Sequence, residues 1–425
     1  MQEKEAKNSA LVFIFFTVLI DMIGVGLIVP IIPDLISSLT GQNLSDAALT
    51  GGLLITAYAG VQFLFALMMG ELSDRYGRKP ILLLSLFGLG VDYIIHAFSP
   101  TIAWLFVGRI LAGIFGASHT VAFAYIADVS NKENKAKNFG IIGAAFGLGF
   151  VIGPAIGGII GENWGVKAPF FVAAGFSLLN FLFGFFFVKE SLSVENRRKV
   201  NFSKMIPFVS LSHLGKYKAV LGFIIAFGLA QLAGQVMPNT WSFFTMESYG
   251  WNKLDVGISL MVVGILVSVV QAVLTGFLVK RFGNRKVIMW GFTLWTLGMF
   301  GIAFAGNAFY LYAATIPYVM GGIATPTIQG VVSNRVSDKE QGNLQGVLTS
   351  LGSLMAVCAP VIYTTLFSTY SGPDATVYFP GAPFLTGAII LILATLVAIY
   401  SLKSLLEVPN DNIIDDNREI QTDIE

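Results

Sequence analysis

The sequence predicts an all-α polytopic membrane protein, with twelve transmembrane helices in two pseudo-symmetric six-helix halves. Three observations carry this expectation: 55% apolar against 12% charged residues, a series of apolar segments of membrane-crossing length, and a duplicated loop motif. Soluble domains carry about 25% charged residues. A 425-residue chain with so little charge suits lipid better than water.

About 20 apolar residues cross the hydrocarbon core. Such segments fall at approximately 9–34, 51–70, 80–98, 101–126, 138–161, 168–188, 219–246, 255–279, 286–304, 308–333, 343–368 and 380–406. Several contain Gly or Pro, which membrane helices tolerate. Residues 1–188 are therefore expected to form an N-terminal six-helix bundle and 219–406 a C-terminal one. The polar stretch 189–218 links them, and 407–425 is an acidic tail expected to be disordered. Lys and Arg set the orientation. Of 26 such residues only Lys167 and Lys253 fall in loops of the opposite side, and only Arg109 lies inside a span. Both termini, the linker and the tail are thus placed in the cytoplasm. The first apolar run is too long for a signal peptide and passes through prolines where a cleavage site would stand.

Several function classes are disfavoured. A net charge of +1 gives no footprint for nucleic acid. The lone Cys358 excludes an internal disulfide, and His96, His119 and His213 are too scattered for a zinc site. No nucleophile–base pairing, nucleotide loop or metal-ligand spacing stands out, so neither enzyme chemistry nor a cofactor is expected, and energy would come from an ion gradient.

The duplication is read from "GELSDRYGRKP" at 70–80, which recurs as "GFLVKRFGNRK" at 276–286. Gly70, Arg75, Tyr76 and Gly77 meet Gly276, Arg281, Phe282 and Gly283; "VSNKE" at 129 meets "VSDKE" at 336, and Pro154 meets Pro360. Matches in one order at nearly one spacing indicate an ancient duplication of a six-helix unit. A solvated turn serving only orientation would need no more than the basic residues. Asp74, replaced by Lys280 in the second copy, has a further duty. It ends span 2, where a carboxylate can accept backbone N–H bonds from a neighbouring helix N-terminus.

Three charges lie within spans: Asp21 in span 1, Asp92 in span 3 and Arg109 in span 4. Each costs about 2.5–3.5 kcal/mol at mid-bilayer on insertion scales. Arg109 could simply neutralise one aspartate in a structural pair. The remaining carboxylate would still need one proton, and a change of pairing with Arg109 would load or release it. On this reading Asp21 and Asp92 carry the proton and Arg109 modulates them. The second half instead carries amides: Gln231, Gln235 and Asn239 in span 7, Gln271 in span 8 and Gln329 in span 10, with Trp241. Singly each is a common helix-packing group. Together they suit a neutral or amphipathic organic substrate. His119 reads as a packing or hydrogen-bonding residue.

"GELSDRYGRKP" is similar to the loop signature G-x-x-x-D-R-x-G-R-K of the major facilitator superfamily. The resemblance implies a cytoplasmic gate built from Gly70, Asp74, Arg75, Gly77, Arg78 and Lys79. In it Asp74 caps a helix of the second half, and Asp128 pairs with the cluster. "RILAGIFGA" from Arg109 resembles the family's span-4 motif linked to proton transfer. "GLGFVIGPAIGG", with Gly149, Gly153, Pro154, Gly157 and Gly158, resembles the span-5 signature of drug/proton antiporters. "DMIGVGLIVPIIPDL", "VDYIIHAF", "AQLAGQVMPNTW", "IQGVVSNRVSDKEQGNLQG" and the positions of Gln62 and Gln271 resemble the tetracycline/proton antiporter branch. Two positions depart from that branch: Trp295 and Val267 stand where it has an acidic residue in span 9 and a histidine in span 8. The resemblance implies a proton-coupled exporter of a small amphipathic organic compound or drug, with tetracycline-like compounds as candidates, working by alternating access. It also implies residence in a bacterial cytoplasmic (inner) membrane and function as a monomer, with protons, the small molecule and the bilayer as partners. A proton-coupled importer on the same fold and a non-transporting membrane sensor are the alternatives.

Overall fold

A computed structural model describes residues 2–116, 118–130, 134–198, 213–337 and 340–407. Residues 199–212 of the expected linker and 408–425 of the expected tail lie outside the described residues.

The first apolar run folds as α1 (Gln2–Ile28) and α2 (Ile32–Thr40). Pro30 and Pro33 explain the interruption: neither offers a backbone N–H, and Pro33 sits in the first turn of α2, where none is needed. α3 (Leu44–Tyr76) starts at Asn43, whose Oδ1 accepts from Asp46 N at 2.9 Å. It ends at Gly77, with φ at 105°, a region nearly closed to other residues, and α4 (Arg78–Phe98) follows directly. The fourth apolar segment is divided into α5 (Ile102–Phe115) and α6 (Ser118–Val129). α7 (Lys135–Trp164) and α8 (Ala168–Phe187) complete the first half.

In the second half, α9 (Leu221–Gly234) and α10 (Val236–Tyr249) meet at Gln235. α11 (Lys253–Val269) opens with a reciprocal cap: Asp255 N donates to Asn252 Oδ1 at 2.9 Å and Asn252 N to Asp255 Oδ2 at 3.2 Å. It passes through a π-helical turn at Val270–Leu274 into α12 (Thr275–Ala303). Separate helices were expected for spans 8 and 9, but the helical run continues, broken only by Gly283, with φ at 78°. α13 (Ala308–Met320) and α14 (Ala324–Ser333) flank a 3₁₀ turn at Gly321–Ile323. α15 (Gln341–Ser371) and α16 (Ala382–Glu407) end the described chain.

Ten stretches among the described residues are long and apolar enough to span a bilayer. One of them, Lys253–Ala303, is 51 residues long and breaks at Gly283, and α13–α14 falls outside the ten because its pieces are short. This is consistent with twelve crossings.

Two compact units form: residues 1–207 with 238–265 and 357–380, and residues 208–237 with 266–356 and 381–425. Within the first, α1 and α7 run backbone to backbone. A Cβ at Gly153 would sit 2.8 Å from Ile23 O and 2.9 Å from Gly26 Cα, and one at Gly149 would sit 2.9 Å from Leu19 O. Gly157 opposes Leu27 in the same way, whereas Gly158 faces the opening turn of α11, 3.1 Å from Leu254 Cα. Small residues drive helix association in lipid because they allow this approach. The same α11 turn carries Lys253, whose Nζ reaches Asp34 Oδ2 at 2.7 Å and Glu162 Oε2 at 3.3 Å. Lys167 Nζ donates to Ser99 O at 2.9 Å. Both lysines that break the charge bias are therefore held by acceptors. Within the second unit, a Cβ at Gly291 would sit 2.9 Å from Ala324 N, and Gly298 and Gly321 abut Tyr318 and Trp295.

Gly153→Val should force α1 and α7 apart and lower stability by about 1–3 kcal/mol, the usual cost of overpacking. Thermal melting of the purified protein in detergent checks this, with Gly175→Val, where a Cβ meets nothing within 4 Å, expected to melt near wild type.

Candidate functional site

Three groups of polar residues emerge. The first is a buried cluster in the first unit. Asp21 of α1 accepts from Ser118 Oγ at 2.5 Å, and its Oδ1 has no hydrogen-bond partner among the described residues. Asp92 of α4, 0% exposed, faces Arg109 of α5, with Nη2 3.9 Å from Oδ2. His96, one turn on, lies between them: Nδ1 is 2.8 Å from Asp92 Oδ1, and Arg109 Nε donates to Nε2 at 3.0 Å. The Arg109 guanidinium also lies over the Tyr58 ring at 5.9 Å. Sequence reasoning grouped Asp21, Asp92 and Arg109 but missed Ser118 and His96. The i, i+4 spacing of Asp92 and His96 was the available signal.

The break between α5 and α6 shapes this cluster. Gln62 of α3 donates to Gly116 O at 3.0 Å, covering a carbonyl left at the broken turn, and to Tyr58 Oη at 2.9 Å. The restarted helix then begins at Ser118, the partner of Asp21. Gln62, expected among substrate-binding residues, here supports the backbone break.

The second group surrounds the 70–80 loop. Arg78, only 8% exposed, pairs with Asp74, reaches Asp128 Oδ2 at 3.0 Å and donates to Ser73 Oγ at 2.7 Å. The Asp128–Arg78 contact places that acid in the cluster. A Cβ at Gly70 would sit 3.7 Å from Thr120 Cγ2, while Arg75 is exposed against Tyr76. Lys79 Nζ caps Phe185 O at 3.0 Å. The carboxylate on the α4 N-terminus is Glu190, which sequence reasoning missed: Oε1 accepts from Arg78 N at 2.8 Å and Oε2 from Lys79 N at 3.2 Å. Its Oε1 also receives Ser191 N and Leu192 N at 2.9 and 3.0 Å. An acid directly after span 6, in "VKES", was the only hint.

The third group is a cavity of about 460 Å³ in the second unit. Gln231, Gln235, Gln271 and Gln329 converge on it with Trp295 and Tyr318, which meet edge to face. No charged side chain among the described residues lines it. Val267 is also in its wall, so both departures from the antiporter branch face this space. Asn239 and Trp241 do not line it: both are buried, and Trp241 Nε1 donates to Ser259 Oγ at 2.8 Å within the first unit. The span-5 residues Gly149, Gly153, Pro154, Gly157 and Gly158 contact neighbouring helices instead.

Membrane-length helices, a repeated glycine elbow, charges buried within spans and an uncharged cavity define a polytopic membrane carrier. The chain belongs to the Major Facilitator Superfamily, whose family model matches residues 14–275 and 239–412. It is 39% identical over 369 residues to "Tetracycline resistance protein, class C" of Escherichia coli, covering 86% of this chain and 92% of that protein. It is 34% identical to the class H protein of Pasteurella multocida, over 92% and 96% of the two chains. Among solved structures, a bacterial homologue of the human lysosomal transporter Spinster superposes with a TM-score of 0.78 at 13% identity, over 95% and 98%. The nucleoside transporter NupG gives 0.74 at 12%, over 93% and 99%. The fold is that of these carriers.

Glu190→Ala should uncover the first N–H groups of α4 and cost about 1–2 kcal/mol of stability. Glu190→Gln should fall between it and wild type in thermal melting.

Proposed function

We propose that this protein exports a small, neutral or amphipathic organic compound in exchange for protons. The observation that carries the reading is the buried cluster in which Asp92 faces Arg109 while Asp21 holds one carboxylate oxygen without a partner. Two acids and one guanidinium leave a charge that a single proton cancels. Asp21 and Asp92 are the proton carriers in this scheme, and Arg109 biases them. Proton entry is favoured by about 2.3 kcal/mol per charge per 100 mV of membrane potential, which can be exchanged for uphill export. The protein would act as a monomer in a bacterial cytoplasmic membrane, with both termini inside.

The uncharged cavity supports the substrate class. Four amides beside aromatic and aliphatic walls can bind carbonyl and hydroxyl groups of a compound without net charge. The tetracycline resistance proteins make tetracycline a compound to test. Trp295 and Val267 in the wall favour relatives of lower charge over metal-chelated or strongly ionic ligands. The 70–80 loop serves as the cytoplasmic gate. Arg78 with Asp74 and Asp128 forms its charged core beside Gly70 and Gly77, and Arg75 and Lys79 flank it.

Inverted membrane vesicles carrying a proton-sensitive dye test this reading with a panel of neutral and amphipathic compounds that includes tetracycline. Wild-type vesicles should release protons on addition of a transported compound, and Asp21→Asn or Asp92→Asn should abolish that release. Release that persists unchanged in both variants would remove the coupling role. Asp74→Asn should reduce transport about tenfold or more, as loss of a charge-assisted pair allows, while cysteine-accessibility mapping returns the same cytoplasmic loops.

A further inference from the structure

His96 lies in the "VDYIIHAF" stretch, is 3% exposed and sits at the centre of the charged cluster. The imidazole stacks on Phe170 of α8, with centroids 5.3 Å apart and planes 11° from parallel. On its other side lies the backbone of α5: a Cβ at Gly108 would overlap the ring and come within 2.8 Å of Asp92 Oδ1. The ring is thus slotted between two helices with its two nitrogens committed to different charged partners.

Those partners determine where the proton is. Arginine has donors only, so the Arg109 Nε–H that meets Nε2 at 3.0 Å requires a lone pair there. The neutral ring must then carry its hydrogen on Nδ1, where Asp92 Oδ1 lies at 2.8 Å and Asp92 O at 3.0 Å. The other ionisable groups around the ring come from every neighbouring element. They are Tyr93 on α4 itself, Tyr58 from α3 beneath Arg109, Asp21 from α1 across Ser118, and Lys167 at the start of α8, which holds Ser99 O. Ser99 Oγ in turn donates to His96 O at 2.8 Å.

We propose that His96 is a positioning residue through which Arg109 and a proton exclude one another beside Asp92. Nε2 has one lone pair. When a proton from water binds it, the Arg109 Nε–H···Nε2 bond is lost, because both groups are then donors. The imidazolium keeps its Nδ1–H on Asp92 and supplies the positive charge that Arg109 supplied before. Arg109, still charged, is released, and Asp21 Oδ1, which like the two Asp92 carboxylate oxygens has no hydrogen-bond partner among the described residues, can receive it. One proton on His96 therefore exchanges the partner of Asp92 and frees Arg109 for the second acid. The inference rests on the coupling role proposed above for Asp21, Asp92 and Arg109.

Two measurements test it. In ¹⁵N-histidine- and ¹⁵N-arginine-labelled protein in lipid nanodiscs, the His96 signal is identified by its loss in His96→Gln. It should show a neutral ring protonated on Nδ1. On acidification it should become doubly protonated, with the Arg109 Nε resonance moving over the same pH interval. A neutral ring protonated on Nε2, a ring that never gains its second proton, or an Arg109 resonance that stays fixed while His96 protonates overturns the proposal. The second measurement is tetracycline-driven proton release in inverted vesicles. His96→Gln keeps a donor and an acceptor but cannot bind a proton. Whatever proton release it keeps should vary less than about twofold between roughly pH 6 and pH 8, where wild type varies about fivefold or more. A wild-type profile in His96→Gln overturns the proposal. Absence of tetracycline flux in wild type counts against the tetracycline arm of the export reading, and the resonance measurement still decides the role of His96.

Discussion

In hydrocarbon a backbone carbonyl or a carboxylate has no water to turn to, and most of this structure follows from how that demand is met. Where α5 stops, Gln62 takes up the carbonyl of Gly116. Where α6 restarts, its first residue supplies the hydroxyl for Asp21. The helix break and the acid thus sustain each other: an unbroken span 4 would carry Ser118 in a different direction, and Asp21 would lose its donor. Asp92 is held by charge, with His96 Nδ1 2.8 Å from Oδ1 and Arg109 Nη2 3.9 Å from Oδ2, while its two oxygens have no hydrogen-bond partner among the described residues. A cluster of this kind is costly if any member is left unpaired, which makes its members sensitive to a single proton.

The duplicated loop shows how one local constraint outlasts divergence of the charges around it. Gly77 and Gly283 hold nearly the same backbone angles, φ 105° and ψ 157° against φ 78° and ψ 158°. Only glycine adopts these readily. Around Gly77 the arginine is buried among Asp74, Asp128 and Ser73, and Glu190 covers the following helix end. Around Gly283 the corresponding basic residues are exposed. The elbow was kept in both copies, and the ion network in one.

Much of the architecture was legible because hydropathy reports directly on the bilayer. The repeated loop was legible because glycine at positive φ cannot be replaced without strain. Less visible were contacts between distant segments. Glu190 lies 112 positions from the amide it caps, and nothing local marks it. Four of the amides singled out in the second half do converge on one cavity. Asn239 and Trp241, one and two turns beyond Gln235, are turned into packing instead, since the helix restarts after Gln235 and its register shifts. His96 was overlooked although it lies within "VDYIIHAF", because its meaning depends on Arg109 arriving from another helix.

The interrupted spans have a spacing of their own. Among the described residues, breaks occur at Val29–Ile31, at Gly116, at Gln235 and at Gly321–Ile323, in spans 1, 4, 7 and 10. At the offset of the repeated loops Gly116 meets Gly322 and Val29 meets Gln235, so the joint recurs in both halves even where the letters differ. The recurrence of these breaks at every third crossing points to an ancestral element of three helices whose leading member was already jointed. The six-helix repeat read in the loops would then be the more recent of two doublings, and the joint the older inheritance.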